Sequence, residues 1–311
     1  MDRRFNSFGP FMKKRYGATV YKVNVDAGFT CPNRDGTVGT SGCIYCNNDS
    51  FRPNSCRPTL SVTEQIRKGI SYVRKRYKTE KFLVYFQPYT NTYAPVDDLE
   101  HLYLEALSDP AVIGLAIGTR PDTVDEEKIA LLESLAEKYF ILIEYGMQSM
   151  YDKSLEYINR GHDYKIFLGA LDLTRDRGIF IGTHIIVGFP TETKEETLAM
   201  ADELSHLPIE FLKIHQLQVV KDTPLELMYK ENPFHVFEYE EYLDFVTDFI
   251  EMLSPEIVLQ RLFATAPDNI LIAPQWGKSR QEILRDIEKK LDAKDIWQGK
   301  KMKAITKVFS L

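Results

Sequence analysis

The chain has 311 residues, a net charge of −6 and 44% apolar residues. This length suffices for one α/β barrel or two small domains with a buried core, so the fold does not need disulfides. Only four cysteines occur, which excludes a dense disulfide framework and favours a reducing compartment. No apolar run approaches the ~20 residues of a membrane helix, and the amino terminus lacks a secretory signal. We therefore expect a cytoplasmic protein without a membrane partner.

Charge is distributed unevenly along the chain. Residues 1–80 carry a net charge of +9 and residues 278–311 carry +5, whereas residues 81–277 carry −20. Two basic ends are typical either of a surface that binds a polyanion or of ordinary solvated helix faces. The sequence leaves both interpretations open.

Apolar strand-like runs alternate with helix-like segments along most of the chain. The runs are almost continuously hydrophobic, as in Phe140-Ile141-Leu142-Ile143, which is typical of a parallel sheet covered on both faces. The predicted strands are Tyr21–Val25, Phe82–Gln87, Val112–Gly118, Phe140–Gly146, Phe180–Gly188, Phe211–Val219 and Ile257–Leu259. The predicted helices span residues 62–77, 97–108, 125–138, 164–177, 193–206, 239–253 and 279–292.

This alternation predicts an α/β fold, a barrel-like domain of about six βα units with short extensions at both ends. A flavodoxin-like doubly wound sheet is the alternative. In both folds the functional residues gather at the carboxyl ends of the strands. We expect the barrel to span residues 1–220 and an α-rich extension, residues 221–311, to pack on it.

Three cysteines lie in a glycine-rich loop, residues 31–46, after the first predicted strand. Cys31, Cys43 and Cys46 can bind three irons of a cubane cluster and leave the fourth iron open to a substrate or cosubstrate. A zinc-stabilised binding module, with Cys56 as the fourth ligand, is the alternative. Structural zinc usually takes two short cysteine pairs, and this chain has one. The pattern therefore favours an iron–sulfur cluster.

The loop resembles the cluster motif of radical S-adenosylmethionine (SAM) enzymes. Its wide spacing before Cys43-Ile44-Tyr45-Cys46 is nearer to the Elongator catalytic-subunit branch than to the commonest form of the motif. Further segments resemble the YtqA/YhcC-type subfamily, namely residues 26–36, 85–93, 117–122, 144–149, 159–162, 184–190 and 213–215. The chain departs from that subfamily at Thr40-Ser41-Gly42, where two adjacent glycines are more usual.

The resemblance implies a partial (βα)6 radical SAM barrel that binds a [4Fe–4S] cluster through Cys31, Cys43 and Cys46. It further implies SAM as cosubstrate, a 5′-deoxyadenosyl radical that abstracts hydrogen from the substrate, and a low-potential electron donor such as flavodoxin or ferredoxin.

The resemblance also implies which residues bind SAM. Tyr45 is expected near the adenine, and Glu144 near a ribose hydroxyl or an ammonium group; an ordinary ion pair is the alternative for Glu144. The methionine amino group of SAM is expected beside the residues that follow the second strand, Thr90, Asn91 and Thr92. The adenine is expected beside the residues at the end of the fifth strand, Gly188, Phe189 and Pro190. A plain turn is the alternative for residues 188–190.

Polar residues on or just beyond the later strands are candidates for binding and transforming the substrate. Lys213 leads this set, because a lysine inside a barrel strand is costly unless it is paired or used. The other candidates are Gln148, His215, His184 and Arg120 for the substrate, and Arg261 and Trp276 for a base. Structural roles are the alternative for the histidines, and core packing is the alternative for Trp276.

The branch resemblance implies that the substrate is tRNA. The implied reaction converts 5-carboxymethylaminomethyluridine to 5-aminomethyluridine at the wobble position. The residues expected to bind phosphates are Arg3, Arg4, Lys13, Lys14, Arg15, Arg74–Lys78, Lys300, Lys301 and Lys303. A small molecule or a partner protein is the alternative substrate.

Overall fold

The computed structural model of the chain describes residues 4–47 and 59–302, so Arg3, Cys56 and Lys303 lie outside the described residues. The helices are α1 (Phe8–Tyr16), α2 (Val62–Tyr77), α3 (Val96–Leu107), α4 (Glu126–Ala136), α5 (Asp152–Tyr157), α6 (Tyr164–Thr174), α7 (Lys194–His206), α8 (Pro224–Glu231), α9 (Tyr239–Met252) and α10 (Arg280–Ala293). The strands are β1 (Val20–Val25), β2 (Lys81–Phe86), β3 (Val112–Thr119), β4 (Phe140–Gln148), β5 (Phe180–Val187), β6 (Phe211–Gln216), β7 (Val219–Val220), β8 (Val258–Arg261) and β9 (Leu271–Ala273).

Seven parallel strands form one open sheet in the order β1-β2-β3-β4-β5-β6-β8. The sheet curls into a half-barrel, with helices on its outer face, so the predicted α/β partial barrel is confirmed. The flavodoxin-like alternative is wrong, because the strand order follows the chain without the reversal that a doubly wound sheet requires.

The carboxyl-terminal part differs from the predicted α-rich extension in one respect. Strand β8 pairs with β6 and becomes the seventh strand of the main sheet. The predicted strand Phe211–Val219 is divided, since β6 ends at Gln216 and β7 pairs antiparallel with β9. Helix α8, which was not among the predicted helices, begins at Pro224, a position that needs no N–H donor. The division near residue 220 stays a prediction.

Aromatic side chains fill the inner face of the half-barrel at the amino-terminal ends of the strands. Phe140, Phe180 and Phe211 meet there, and α1, which the sequence analysis did not predict, covers them with Phe11. The ring centroids of Phe11 and Phe211 are 5.1 Å apart in an edge-to-face arrangement. This end of the barrel is therefore closed, and the inner face is accessible from the carboxyl ends of the strands.

The two edges of the sheet approach each other across the barrel. Lys22 on β1 donates a hydrogen bond to Gln260 on β8. The free edge of β8 is covered by the chain before α1, since the Leu259 N–H donates to the Asn6 carbonyl at 2.9 Å. Within residues 4–47 and 59–302, no helix combines the length and apolar character that crossing a membrane requires.

Candidate active site

A cavity of about 250 Å³ opens at the carboxyl ends of the strands. The cysteine loop forms one wall, and the polar inner face of β2 to β8 forms the other. The predicted residues that line it are Cys31, Cys43, Cys46, Tyr45, Thr90, Asn91, Arg120, Glu144, Gln148, His184, Lys213, His215 and Arg261. Distant parts of the chain that the sequence analysis had selected separately therefore meet at one site.

The loop carries three free cysteines, of which Cys43 is buried and Cys31 and Cys46 are half-buried. Backbone hydrogen bonds tighten the loop, including that from the Gly42 N–H to the Asn33 carbonyl at 2.7 Å. Gly42 has a φ of +73°, in the left-handed region, and a side chain there would meet Arg34. Three thiols on the wall of one cavity form the donor set that a site-differentiated cubane needs.

Cationic and amide donors surround the cysteine sulfurs. The buried Arg160 places Nη1 3.7 Å from Cys43 Sγ, and Asn33 places Nδ2 3.8 Å from the same sulfur. Burial raises the pKa of the Cys46 thiol, and the charge of Arg34 opposes that rise. These donors favour the thiolate forms that bind iron. Arg160 and Arg34 were not among the predicted site residues, although both lie in segments that resemble the family.

Asn91 presents a buried acceptor at the cavity. Its Nδ2 donates to the carbonyls of Phe86, Pro88 and Gly118 at 2.7–3.1 Å, and its buried Oδ1 has no hydrogen-bond partner among the described residues. An unpaired buried acceptor on a cavity wall suits a ligand that donates a hydrogen bond, such as the amino group of SAM. Its neighbour Thr90 also lines the cavity.

Thr92, Gly188, Phe189 and Pro190 do not line this cavity. The Thr92 hydroxyl is hydrogen-bonded to the hydroxyls of Thr119 and Thr123. Phe189 is buried in an apolar cluster that Tyr45 touches, and Pro190 is exposed. The assigned contacts of these residues with SAM stay predictions.

Trp276 packs within the fold. Its Nε1 donates to the Phe237 carbonyl at 2.9 Å, and its ring lies 5.0 Å from that of Tyr242. It does not line the cavity. The structure therefore favours core packing over the predicted contact with a base.

Glu144 connects four donors at the centre of the half-barrel. Its Oε2 accepts from Lys213 at 2.5 Å and from His184 at 3.1 Å, and its Oε1 accepts from Lys22 at 3.1 Å and from Gln260 at 2.9 Å. Burial opposes ionisation, but the facing lysines outweigh it and hold the Glu144 pKa well below its usual range. The carboxylate thus forms buried ion pairs, the alternative that the sequence left open, and its contact with SAM stays a prediction.

Burial keeps the two histidines of this site, His184 and His215, neutral. It lowers the pKa of His184 to about 4, with the charge of Lys213 adding to the effect, and lowers that of His215 well below its usual value. Burial also lowers the pKa of Lys213, and the Glu144 carboxylate partly offsets the change. Lys213 Nζ donates to the Tyr85 hydroxyl at 2.9 Å. The site therefore offers several groups that can hold or release a proton.

Arg120 and Gln148 lie at the rim in constrained positions. Arg120 forms two hydrogen bonds with Asp122, at 2.8 and 2.7 Å, and its Nη1 donates to the Arg160 carbonyl at 2.8 Å. It thus positions the guanidinium that contacts Cys43. Gln148 ends β4 with a φ of +70°, an uncommon conformation for a side-chain-bearing residue, and it faces the cavity.

Comparison with known proteins identifies the family of this chain. Residues 31–204 match the Radical SAM superfamily, and residues 209–293 match the Radical_SAM C-terminal domain. The chain belongs to the radical SAM superfamily. Radical SAM enzymes use a [4Fe–4S] cluster and S-adenosylmethionine, so both predicted cofactors are confirmed and the zinc-stabilised module is set aside. Cys31, Cys43 and Cys46 are the residues that fit the cluster, and Asn91 offers an acceptor for SAM.

Two relatives match almost their entire length. The protein MJ0486 of Methanocaldococcus jannaschii is 38% identical over 300 residues, covering 95% of this chain and 91% of that protein. YtqA of Bacillus subtilis is 30% identical over 299 residues, covering 96% and 93%. The predicted resemblance to YtqA-type radical SAM proteins is therefore confirmed.

Sequence similarity to Elongator-type proteins covers less of the chain, about half of it in the first example. A tRNA uridine(34) acetyltransferase of Methanocaldococcus jannaschii is 24% identical over 163 residues, covering 51% of this chain and 30% of that protein. The structure of the archaeal Methanocaldococcus infernus Elp3 with an amino-terminal deletion matches with a TM-score of 0.71 and 18% identity, covering 90% of this chain and 64% of that chain. The structural match supports the fold.

Proposed function

We propose that this radical SAM enzyme converts 5-carboxymethylaminomethyluridine to 5-aminomethyluridine at the wobble position of tRNA. The observation that carries the proposal is the cationic inner face of the cavity, opposite the cysteine loop. A substrate side chain that ends in a carboxylate complements such a surface. The similarity to a tRNA uridine(34) acetyltransferase supports the choice of RNA and of position.

Each part of the chain has a distinct task in this function. When bound, the cluster and SAM supply a carbon-centred radical that abstracts hydrogen. The three cysteines hold the cluster, with Arg160 beside one sulfur. The aromatic layer under α1 keeps water from entering through the closed end of the barrel. Lys213 holds a proton at Nζ, between the Glu144 carboxylate and the Tyr85 hydroxyl, within reach of a base in the cavity.

The predicted phosphate contacts lie away from the cavity. Arg74 lies in the last turn of α2 and pairs with Glu80, which directly precedes β2 at the amino-terminal end of the sheet. Lys301 pairs with Glu251 near the end of α9. The six residues of β1 span roughly 20 Å at ~3.3 Å per residue, which separates these cations from the cluster loop. They are therefore not placed to bind the phosphates that flank a base in the cavity.

The distance between these basic residues and the cavity favours the alternative substrate class, a small molecule. A small molecule that carries a carboxylate would use the same cationic lumen and would need no phosphate contacts outside it. In either case the reaction needs an electron donor, and we include a low-potential protein such as flavodoxin or ferredoxin, and a cytoplasmic location, in the proposal.

Mass spectrometry of tRNA nucleosides tests the proposal directly. Cells that lack the gene should accumulate 5-carboxymethylaminomethyluridine at the wobble position and lose 5-aminomethyluridine. Expression of the wild-type chain should restore the product, and the Cys46→Ala variant should not. Cys56→Ala is the matched control, because Cys56 is not one of the three cysteines predicted to bind the cluster. An unchanged wobble-uridine profile would contradict the tRNA assignment.

A gel shift separates the two substrate classes in vitro. Hypomodified tRNA should bind the purified protein, and binding should weaken between low and moderate salt concentration. If no tRNA binds at either salt concentration while deoxyadenosine is still formed from SAM, the small-molecule alternative gains support.

A further inference from the structure

Arg261 lies on the cavity wall that β6 and β8 form, and it has no acidic partner within residues 4–47 and 59–302. Its hydrogen bond there is to a neutral base, with Nη1 3.3 Å from His215 Nε2. A guanidinium donates and does not accept, so His215 accepts at Nε2 and carries its own proton at Nδ1. Most of the five Arg261 donors are therefore free to bind a ligand.

The groups around Arg261 are mainly cations and neutral bases. Lys22, Lys213 and Arg280 lie near it, and burial together with the charge of Arg261 lowers the pKa of Arg280. The carboxylate of this lumen, Glu144, already accepts from four donors. Among the residues that the structure describes, Glu144 is the one carboxylate on the cavity wall, and Arg261 on the wall and Lys22 beside it outnumber that carboxylate even with Lys213 neutral.

A surplus of positive charge inside a cavity is costly unless an anion completes it. We propose that the β6–β8 wall is an anion subsite in which Arg261 binds the carboxylate of the substrate side chain. This inference rests on the proposed function for the identity of the substrate. A planar carboxylate can take two parallel hydrogen bonds from one guanidinium, a geometry that a single lysine does not provide.

The position of Arg261 distinguishes the carboxylate from a phosphate. Arg261 shares the cavity wall with Lys213 and His184, which extend from the inner face of the barrel. The phosphates of a polynucleotide flank the base and stay outside when the base enters. The side chain of the base is the part that reaches the wall, so its carboxylate is the anion that meets Arg261.

Chemical protection tests the subsite without any catalytic turnover. Phenylglyoxal modifies accessible arginines, and peptide mass spectrometry measures the modification rate at each. Sarcosine carries the carboxymethylamine group alone, and its methyl ester lacks the negative charge. With sarcosine at roughly two thirds occupancy, modification of Arg261 should slow about threefold. The ester should give no protection, and the exposed Arg285 should be modified at the same rate throughout.

The same assay identifies the anion. Protection of Arg261 by inorganic phosphate but not by sarcosine would assign the subsite to a phosphate and overturn the carboxylate assignment. Equal modification rates with and without either anion would overturn the subsite itself. Protection by sarcosine alone supports the proposal.

Steady-state kinetics connect the subsite to the substrate. With an anticodon stem-loop that carries 5-carboxymethylaminomethyluridine, the Arg261→Gln variant should raise KM by roughly tenfold or more, as loss of a charged hydrogen-bond pair implies. Arg261→Lys should recover part of the loss, and Arg285→Gln should behave as wild type. The dissociation constant of SAM should stay within about threefold, because Arg261 binds the substrate and not the cosubstrate.

These experiments distinguish a failure of the proposed function from a failure of the Arg261 subsite. If the wild-type enzyme does not act on the stem-loop, the proposed function fails, while protection of Arg261 by sarcosine still supports a carboxylate subsite for another substrate. If Arg261→Gln weakens SAM binding by roughly the same factor as it raises KM, Arg261 binds the cosubstrate and the inference is overturned.

Discussion

Glu144 shows how one residue can determine the electrostatics of an active site. It is 1% exposed, yet it is ionised, because Lys22, Lys213 and His184 each contribute a hydrogen bond. A buried ion pair contributes little net stability, but a buried charge that loses its partner is strongly destabilising. The carboxylate therefore positions Lys213 and keeps the lumen compatible with two lysines.

Replacing Glu144 with Gln should leave both lysines without a counter-charge. We expect the free energy of unfolding to fall by about 3–5 kcal/mol, measured by denaturant titration. Glu133→Gln, which removes an exposed pair with Arg177, should cost less than about 1 kcal/mol. Adding Lys213→Met to Glu144→Gln should recover part of the loss. If the single variant is as stable as wild type, the ion-pair network does not exist as described.

Arg160 provides a second test at the level of one residue. Its positive charge lies 3.7 Å from Cys43 Sγ, so it should stabilise the reduced, more negative form of the cluster. We expect Arg160→Met to shift the midpoint potential of the cluster to more negative values, on the order of 50 mV for a change of about 1 kcal/mol. A redox titration followed by electron paramagnetic resonance measures it.

The conservative variant Arg160→Lys controls for the loss of packing. It keeps the charge but loses the fork that also reaches the Gly146 carbonyl at 2.7 Å. We expect its potential to lie between those of the wild-type and Arg160→Met proteins. Equal potentials in all three proteins would contradict a role for Arg160 in tuning the cluster.

The His184 pKa makes stability depend on pH. Since burial lowers this pKa from 6.5 to about 4, the unfolded chain binds a proton between these pH values that the folded protein does not. Stability should therefore fall as pH decreases through this window, with His184 contributing about 2 kcal/mol between pH 7 and pH 5. Denaturant titrations at both pH values should show a smaller loss for His184→Asn than for wild type. Substitution of the exposed His101 should not reduce the loss to the same extent.

Local packing decides which glycines can be replaced by a residue with a side chain. At Gly114 on β3, an added Cβ would lie 1.9 Å from the Phe140 carbonyl oxygen on β4, so no side chain fits without separating the strands. At Gly169 on α6, no atom lies within 4 Å of an added Cβ. Glycine is therefore required by packing at position 114 on β3, whereas a side chain fits at position 169 on α6.

Alanine substitution at both glycines makes this contrast measurable. Gly114→Ala should destabilise the protein by about 3 kcal/mol or more, because the neighbouring backbone must move. Gly169→Ala should stabilise it by about 0.5–1 kcal/mol, because alanine favours the helix. Thermal unfolding of the two variants measures the difference, and a Gly114→Ala protein as stable as wild type would contradict the register of β3 and β4.

At the scale of the whole molecule, the two ends of the barrel have different properties. The amino-terminal end is closed by α1 and is surrounded by basic side chains, whereas the carboxyl-terminal end carries the cysteine loop and the cavity. The basic residues that make the charge of the sequence uneven therefore lie at the opposite end of the barrel from the opening of the cavity.

Substitution of the basic residues at the end of α2 tests this separation. We expect the double variant Lys75→Gln and Arg76→Gln to bind hypomodified tRNA within about twofold of wild type, with the same salt dependence. The Arg261→Gln variant, on the cavity wall, should weaken binding more. A clear loss of affinity in the α2 variant alone would show that tRNA extends to the closed end of the barrel.

Local patterns in the sequence determined the fold class and singled out three cysteines as candidate cluster ligands. The alternation of apolar runs and helix-like segments is a short-range signal, and capping boxes at Ser61 and Thr193 begin two of the predicted helices. The three cysteines lie in one loop, so their spacing alone was informative.

Only the tertiary structure decided the chemistry of the lumen. Glu144, Lys213 and Lys22 are separated by 69 and 122 positions, and they meet because the sheet curls until β1 approaches β8. No local pattern encodes a contact that depends on that curvature.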